Sequence, residues 1–190
     1  MIRLTLSQVS GRLRGRAPVQ ADMDGRIEAA VALVLAADAD RGLDLLLIKR
    51  AEAEGDPWSG QMGLPGGRRE SRDPDLLATA IRETAEETGI HLSEQELLGV
   101  LDDLAPTTPV LPPVAVRPFV FGLPKRAVVH PSREVADSAW ISIGELRQGA
   151  DETTVVVRGR ELRVPAYFVG RDVVWGMTLR ILNNFFDLTI

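Results

Sequence analysis

The residues best able to do chemistry lie in Arg82-Glu83-Thr84-Ala85-Glu86-Glu87-Thr88-Gly89. On a helix, Glu83, Glu86 and Glu87 stand at i, i+3 and i+4 and fall within a sector of about 100°. Three carboxylates on one stripe repel each other unless a cation neutralises them. They offer oxygen ligands from a rigid element, as a magnesium or manganese site needs. Arg82, four residues before Glu86, carries the forked guanidinium that holds a carboxylate in place. Gly66 and Gly67 close a glycine- and proline-rich loop, 55–67, and let a backbone carbonyl approach the same ion. A bare Glu-x-x-Glu-Glu is ordinarily a solvated helix face. The Gly-Gly turn before this one, and the helix-stopping Gly89 after it, reverse those odds.

Composition narrows the ligand chemistry further. The chain of 190 residues has no cysteine, which excludes disulfides, thiolate metal sites and a cysteine nucleophile. His91 and His130 are its only histidines, so a histidine-rich zinc site is excluded too. A formal net charge of -5 argues against long nucleic acid as a partner. Arg3, Arg12, Arg14 and Arg16 form a local basic stretch, expected to be a solvated arm. The longest apolar run, 29–37, is too short to span a bilayer, and the expectation is a cytoplasmic protein without a membrane segment.

These residues need a scaffold, and the patterning supplies one mixed α/β domain. Residues 4–14 have the pattern of a short amphipathic helix within an N-terminal arm, 1–26; the domain proper is expected over 27–190. The runs 29–37 and 43–49 predict a strand hairpin. A helix is expected from Pro74 to Thr88, with Asp73 as its N-cap and Gly89 as its stop. Short strands are expected near 96–103, 114–122 and 134–141, and a short helix over 142–148. A hairpin is expected around Arg158-Gly159-Arg160, and a closing helix over 172–187.

With those elements in place, Arg82 to Ile90 resembles the second half of the Nudix box, G-x5-E-x7-R-E-U-x-E-E-x-G-U, where U is a bulky apolar residue. Thr84 stands in for the first U. Gly67 lies one residue farther from Arg82 than the pattern requires, and Pro74 occupies the first-Glu position, with Asp73 the nearest carboxylate. The extra residue is similar to the coenzyme A pyrophosphatase-like branch, whose upstream pattern is L-L-T-x-R-(S/A)-x3-R-x3-G-x3-F-P-G-G. Leu46-Leu47-Ile48-Lys49-Arg50-Ala51 resembles its start and Gly60 to Gly67 its end. No arginine lies between Ala51 and Gly60. The tail from Val174 to Leu182 is also similar to that branch.

The resemblance implies a Nudix-type α/β/α sandwich around a mixed sheet. It also implies metal-dependent hydrolysis of a nucleoside diphosphate linked to another moiety, with Mg2+ (or Mn2+) held by Glu83, Glu86, Glu87, the Gly67 backbone and Asp73. Coenzyme A or a derivative is the expected substrate. ADP-ribose, a dinucleotide or a nucleoside triphosphate are the alternatives, and a non-catalytic nucleotide-binding module ranks below them. The general base is one of the helical glutamates or a loop carboxylate, for which Glu134 is the candidate. Arg50, at a strand end beside the loop, is a candidate phosphate contact or a surface ion pair. Trp58 is a candidate for stacking on a base or for packing as a plug. Self-association as a homodimer is a further implication of the family.

Overall fold

The computed structural model describes residues 4–52, 59–106, 113–157 and 159–190. Its centre is a mixed sheet built on β1 (Ile27–Asp38) and β2 (Gly42–Arg50), an antiparallel hairpin paired from Leu35↔Leu45 to Asp38↔Gly42. Before Leu35 the two strands part. The gap is filled by the returning loop, whose β3 (Met62–Gly63) pairs with β2 and whose β4 (Gly66–Arg68) pairs with β1. The splay therefore fixes where the Gly-Gly turn sits. Between the two short strands, the Ala32 amide donates to the Pro65 carbonyl at 2.8 Å.

On its other edge β1 runs parallel to β6 (Val114–Leu123), which pairs with β5 (Leu97–Val100); β7 (Val135–Ser142) pairs with the outer edge of β2. Helix α2 (Leu76–Thr88) covers one face. Helices α1 (Leu6–Arg14) and α4 (Gly176–Thr189) cover the other, where Val9 and Leu13 join Leu33, Leu35, Leu182 and Phe185 in one buried cluster. This is the expected α/β/α arrangement. The short α3 (Ile143–Gln148) leads into a separate three-stranded sheet of β8 (Ala150–Val157), β9 (Arg160–Val169) and β10 (Asp172–Val174).

Three local expectations are corrected. The cap of α2 is Asp75, whose side chain accepts from the Ala78 amide at 2.8 Å, and not Asp73. Residues 172–174 are strand rather than helix, because they pair with 167–169 of β9. Of the N-terminal arginines, Arg3 lies outside the described residues, and the other three are tied to the domain rather than forming a solvated arm. Arg12 donates to the Thr189 carbonyl, Arg14 to the Leu97 carbonyl at 3.2 Å, and Arg16 to the Asp102 carboxylate. The end of α2 is as expected, with Gly89 left-handed at φ 71° and its amide on the Ala85 carbonyl.

Candidate active site

Helix α2 lies over β1 and β4 with a polar buried face: Thr79, Thr84, Glu87 and Thr88 are all buried. Thr84 can replace a bulky apolar residue because its hydroxyl donates to the Ala80 carbonyl one turn back, at 2.7 Å. The helix and the turn at Gly66-Gly67 meet without space for a side chain. A Cβ on Gly66, whose φ is 153°, would strike the Ala30 carbonyl; one on Gly67 would strike the Glu83 carboxylate. Gly66 is therefore required by the backbone beside it, while a side chain at Gly67 would push the Glu83 carboxylate out of place.

Glu87 is the most enclosed carboxylate of the group. Its side chain is 4% exposed, accepts from the Gly66 amide at 2.9 Å, and lies 3.6 Å from the Arg50 guanidinium. Burial pushes its pKa up to about 7; the Gly66 amide and Arg50 oppose that rise, and the nearby charges of Glu83 and Glu134 add to it. Glu83 is shifted upward as well, again chiefly by burial, against the pull of Arg82.

Arg82 organises the other carboxylates. It grips Asp73 with a fork at 2.9 and 2.8 Å, and its third nitrogen donates to Glu83 and Glu86, each at 2.9 Å. It also reaches the Arg68 carbonyl at 3.1 Å. Asp73 is almost fully buried and also accepts from the Glu70 amide and the Thr79 hydroxyl. The Arg82 fork, foremost, holds its carboxyl well below the usual range. Glu86 is half exposed and bridged by Arg72 at 2.9 Å.

One cleft of about 410 Å³ collects Arg50, Gly66, Gly67, Glu83, Glu87 and Glu134. Glu86 and Asp73 do not line it, and Trp58 lies outside the described residues. Of the rest of its wall, two groups were not singled out from sequence as site residues: Val114 and Val116 of β6, and Met177, Thr178 and Ile181 of α4. Only the family-like tail pointed toward that second group; no local pattern marked the first.

Among the described residues no three His, Cys, Asp or Glu side chains converge as a ready-made metal cluster. The donors nevertheless suit a hard divalent cation: they are all oxygens, and two carboxylates with raised pKa values face one cleft beside a side-chain-free turn. Burial and mutual repulsion disfavour their ionised forms, and a cation would offset both.

The sequence model of the NUDIX domain matches residues 26–159. The chain belongs to the Nudix family. Nudix hydrolases are pyrophosphohydrolases that generally use divalent metals, and this chain is one of them. It is 32% identical over 185 residues to an uncharacterized Nudix hydrolase, NudL, of Citrobacter koseri, covering 95% of this chain and 93% of that one. It is 31% identical over 127 residues to the human mitochondrial coenzyme A diphosphatase NUDT8, covering 63% of this chain and 51% of that one. It is 36% identical over 107 residues to an uncharacterized protein of Schizosaccharomyces pombe, where the match spans 54% of this chain and 32% of the relative. The fold of a MutT/nudix family protein from Enterococcus faecalis superposes with a TM-score of 0.63 at 15% identity, over 92% of this chain and 65% of that one. No helix among the described residues is long and apolar enough to cross a membrane.

Proposed function

We propose that this Nudix hydrolase cleaves the diphosphate of coenzyme A or a derivative, giving 3′,5′-ADP and a phosphopantetheine, with Mg2+ (or Mn2+) as cofactor. The observation that carries the chemistry is the cleft that brings Glu83 and Glu87 against the Gly66-Gly67 turn, with Arg50 on the same wall. Glu83, Glu87 and the Gly67 carbonyl are the ligand set, with Glu86 completing it from the exposed side of the stripe. A bound divalent cation would neutralise phosphate charge and lower the pKa of water. Arg50 binds a phosphate oxygen, and Glu134 at the rim accepts the proton of the attacking water as the bridging P–O bond breaks and the second phosphate leaves. Arg82, spent on Asp73, Glu83 and Glu86, orients the carboxylates; Asp73 orients Arg82.

Resemblance to NUDT8, whose name gives coenzyme A as substrate, supports that choice. The missing arginine between Ala51 and Gly60 favours a second reading, in which ADP-ribose or a dinucleotide is preferred, because the 3′-phosphate would then lack one cationic partner. The test is kcat/KM for coenzyme A, dephospho-coenzyme A, ADP-ribose and NADH at one magnesium concentration. Coenzyme A should lead; a more than tenfold lead for ADP-ribose or NADH would leave the hydrolysis standing and overturn the substrate. We place the activity in the cytoplasm and the protein in a homodimer.

A further inference from the structure

The arginines around the Gly66-Gly67 turn differ in what they hold. Arg69 donates to the Glu28 carboxylate at 2.9 Å and to the carbonyls of Asp73 and Pro74. Arg72 bridges Glu70 and Glu86, and Arg82 is taken up by Asp73, Glu83 and Glu86. Arg50 lies against Glu87. Arg68 is the exception. It is exposed, it lines the cleft, and its guanidinium has no hydrogen-bond or ion-pair partner among the described residues. Its backbone is nevertheless pinned. Its carbonyl accepts from Arg82 at 3.1 Å, and the following amide, that of Arg69, donates to the Glu28 carbonyl at 2.9 Å.

The strand register gives the direction of this side chain. β4 pairs antiparallel with β1, with Gly67 opposite Ala30 and Arg68 opposite Ala29. Directly opposite residues share a face of the sheet, and successive residues alternate between faces. Ala30 belongs to the cluster on the α2 side, and a Cβ on Gly67 would meet Glu83 there. Ala29 belongs to the cluster on the α4 side, with Val114, Val116 and Ile181. Gly67 thus faces the carboxylates, and Arg68 faces the apolar wall of the same cleft. Among the described residues, Arg50 and Arg68 are the cations that line it.

We propose that Arg68 binds a phosphate monoester that the substrate carries outside the scissile diphosphate, and so sets a preference for nucleotides that have one. This rests on the function proposed above, in which that group is the 3′-phosphate of coenzyme A. A diphosphate held at Glu83 and Glu87 lies on the α2 side of the turn, with Arg50 against Glu87. The parts of the substrate that extend past Gly67 meet Val114, Val116, Met177 and Ile181. Such a wall suits a base or a pantetheine chain and leaves a phosphate dianion without a partner. Arg68 supplies that partner at the place where the wall begins. A guanidinium takes two phosphate oxygens through parallel hydrogen bonds, and a pinned backbone sets its root in advance. Arg68 thereby stands in for the cation missing between Ala51 and Gly60.

Two ratios test this on the full chain. The first is kcat/KM for coenzyme A over that for dephospho-coenzyme A, which differ only in the 3′-phosphate. The second is the Kd of 5′-AMP over that of 3′,5′-ADP, measured by calorimetry with Mg2+. It needs no turnover, so it does not depend on which diphosphate the enzyme hydrolyses. Both ratios should be about ten or more in the wild type, the effect of one charge-assisted hydrogen-bonded contact. R68Q should bring both close to one. R68K, which keeps the charge and loses the fork, should fall between. R180Q removes an exposed arginine of α4 that does not line the cleft, and should leave both ratios at the wild-type value. Wild-type ratios near one overturn the proposal. So does an R68Q protein that keeps the wild-type ratios, whether both ligands of a pair weaken alike, which puts Arg68 on the diphosphate, or neither weakens. An equal fall in R180Q makes the effect one of overall charge and also overturns it. If 3′,5′-ADP binding depends on Arg68 while ADP-ribose is hydrolysed more than tenfold better than coenzyme A, the role of Arg68 stands and the coenzyme A reading falls.

Discussion

Along β1, Ala30, Ala32, Val34 and Ala36 turn toward α2, whereas Leu33 and Leu35 turn toward α1 and α4. The helices answer in kind. The buried residues of α2 include three threonines, one alanine and Glu87, while α4 buries Leu179, Ile181, Leu182, Phe185 and Phe186. Small residues under α2 let the helix lie close to the sheet, and hydrogen bonds and ion pairs then do much of the holding. The opposite face holds by apolar burial. One strand thus separates a polar, site-bearing layer from the layer that contributes most of the core, and the two should fail differently.

The sharpest break is Glu87→Gln. It should lower kcat at least about 10²-fold, because metal-assisted charge stabilisation is worth several kcal/mol, and Glu86→Gln should cost less, its side chain being half exposed. Glu87→Gln should not destabilise the metal-free protein. A carboxyl whose folded pKa is raised to about 7 binds more protons folded than unfolded, so stability falls as pH rises from about 4.5 through 7. Thermal melts of the chelated protein should show that fall in the wild type and lose it in the variant, with Mg2+ restoring the wild type above pH 7. Equal slopes in the two proteins would remove Glu87 from the account.

Next in size is Leu33→Ala, which should cost about 2–5 kcal/mol by leaving a cavity on the α4 side, with turnover of the folded fraction near normal. Its counterpart, Ala32→Leu, overpacks the α2 side and should cost only about 1–3 kcal/mol but reduce kcat, since α2 must move. Denaturant titration paired with single-turnover assays separates the two; if both variants lose stability and activity in proportion, the layers are not distinct. The smallest expected effect is Arg82→Lys, which loses the fork on Asp73 and should weaken magnesium dependence and rate about tenfold. A change confined to the KM of the nucleotide would count against an orienting role.

Much of this division was legible in the sequence, because it is carried by local signals. The stop at Gly89, the 3.6-residue spacing of the glutamates and the two apolar runs of the β1–β2 hairpin each rest on contacts within a few residues. What escaped depends on distance. Asp73, just before Pro74, reads as the cap until Arg82, nine residues on, claims its carboxylate and leaves the capping to Asp75. Val173 and Val174 fit a helical pattern until β9 offers them strand partners. The wall formed by Met177, Thr178 and Ile181 belongs to a helix about ninety residues beyond the glutamates it faces, and Arg12, Arg14 and Arg16 find carbonyl and carboxylate partners that no spacing could reveal.

One of those distant contacts bears on synthesis. Arg12, on the first helix, closes on the carbonyl of Thr189, 177 residues later, and Val9 and Leu13 share a cluster with Leu182 and Phe185. Of these two helices α1 is made long before α4, so the part of its apolar side that faces α4 stays uncovered until α4 arrives. Contacts of such sequence separation form late and leave apolar surface unmatched meanwhile, so the α1–α4 seam is the part of the core that closes last during synthesis.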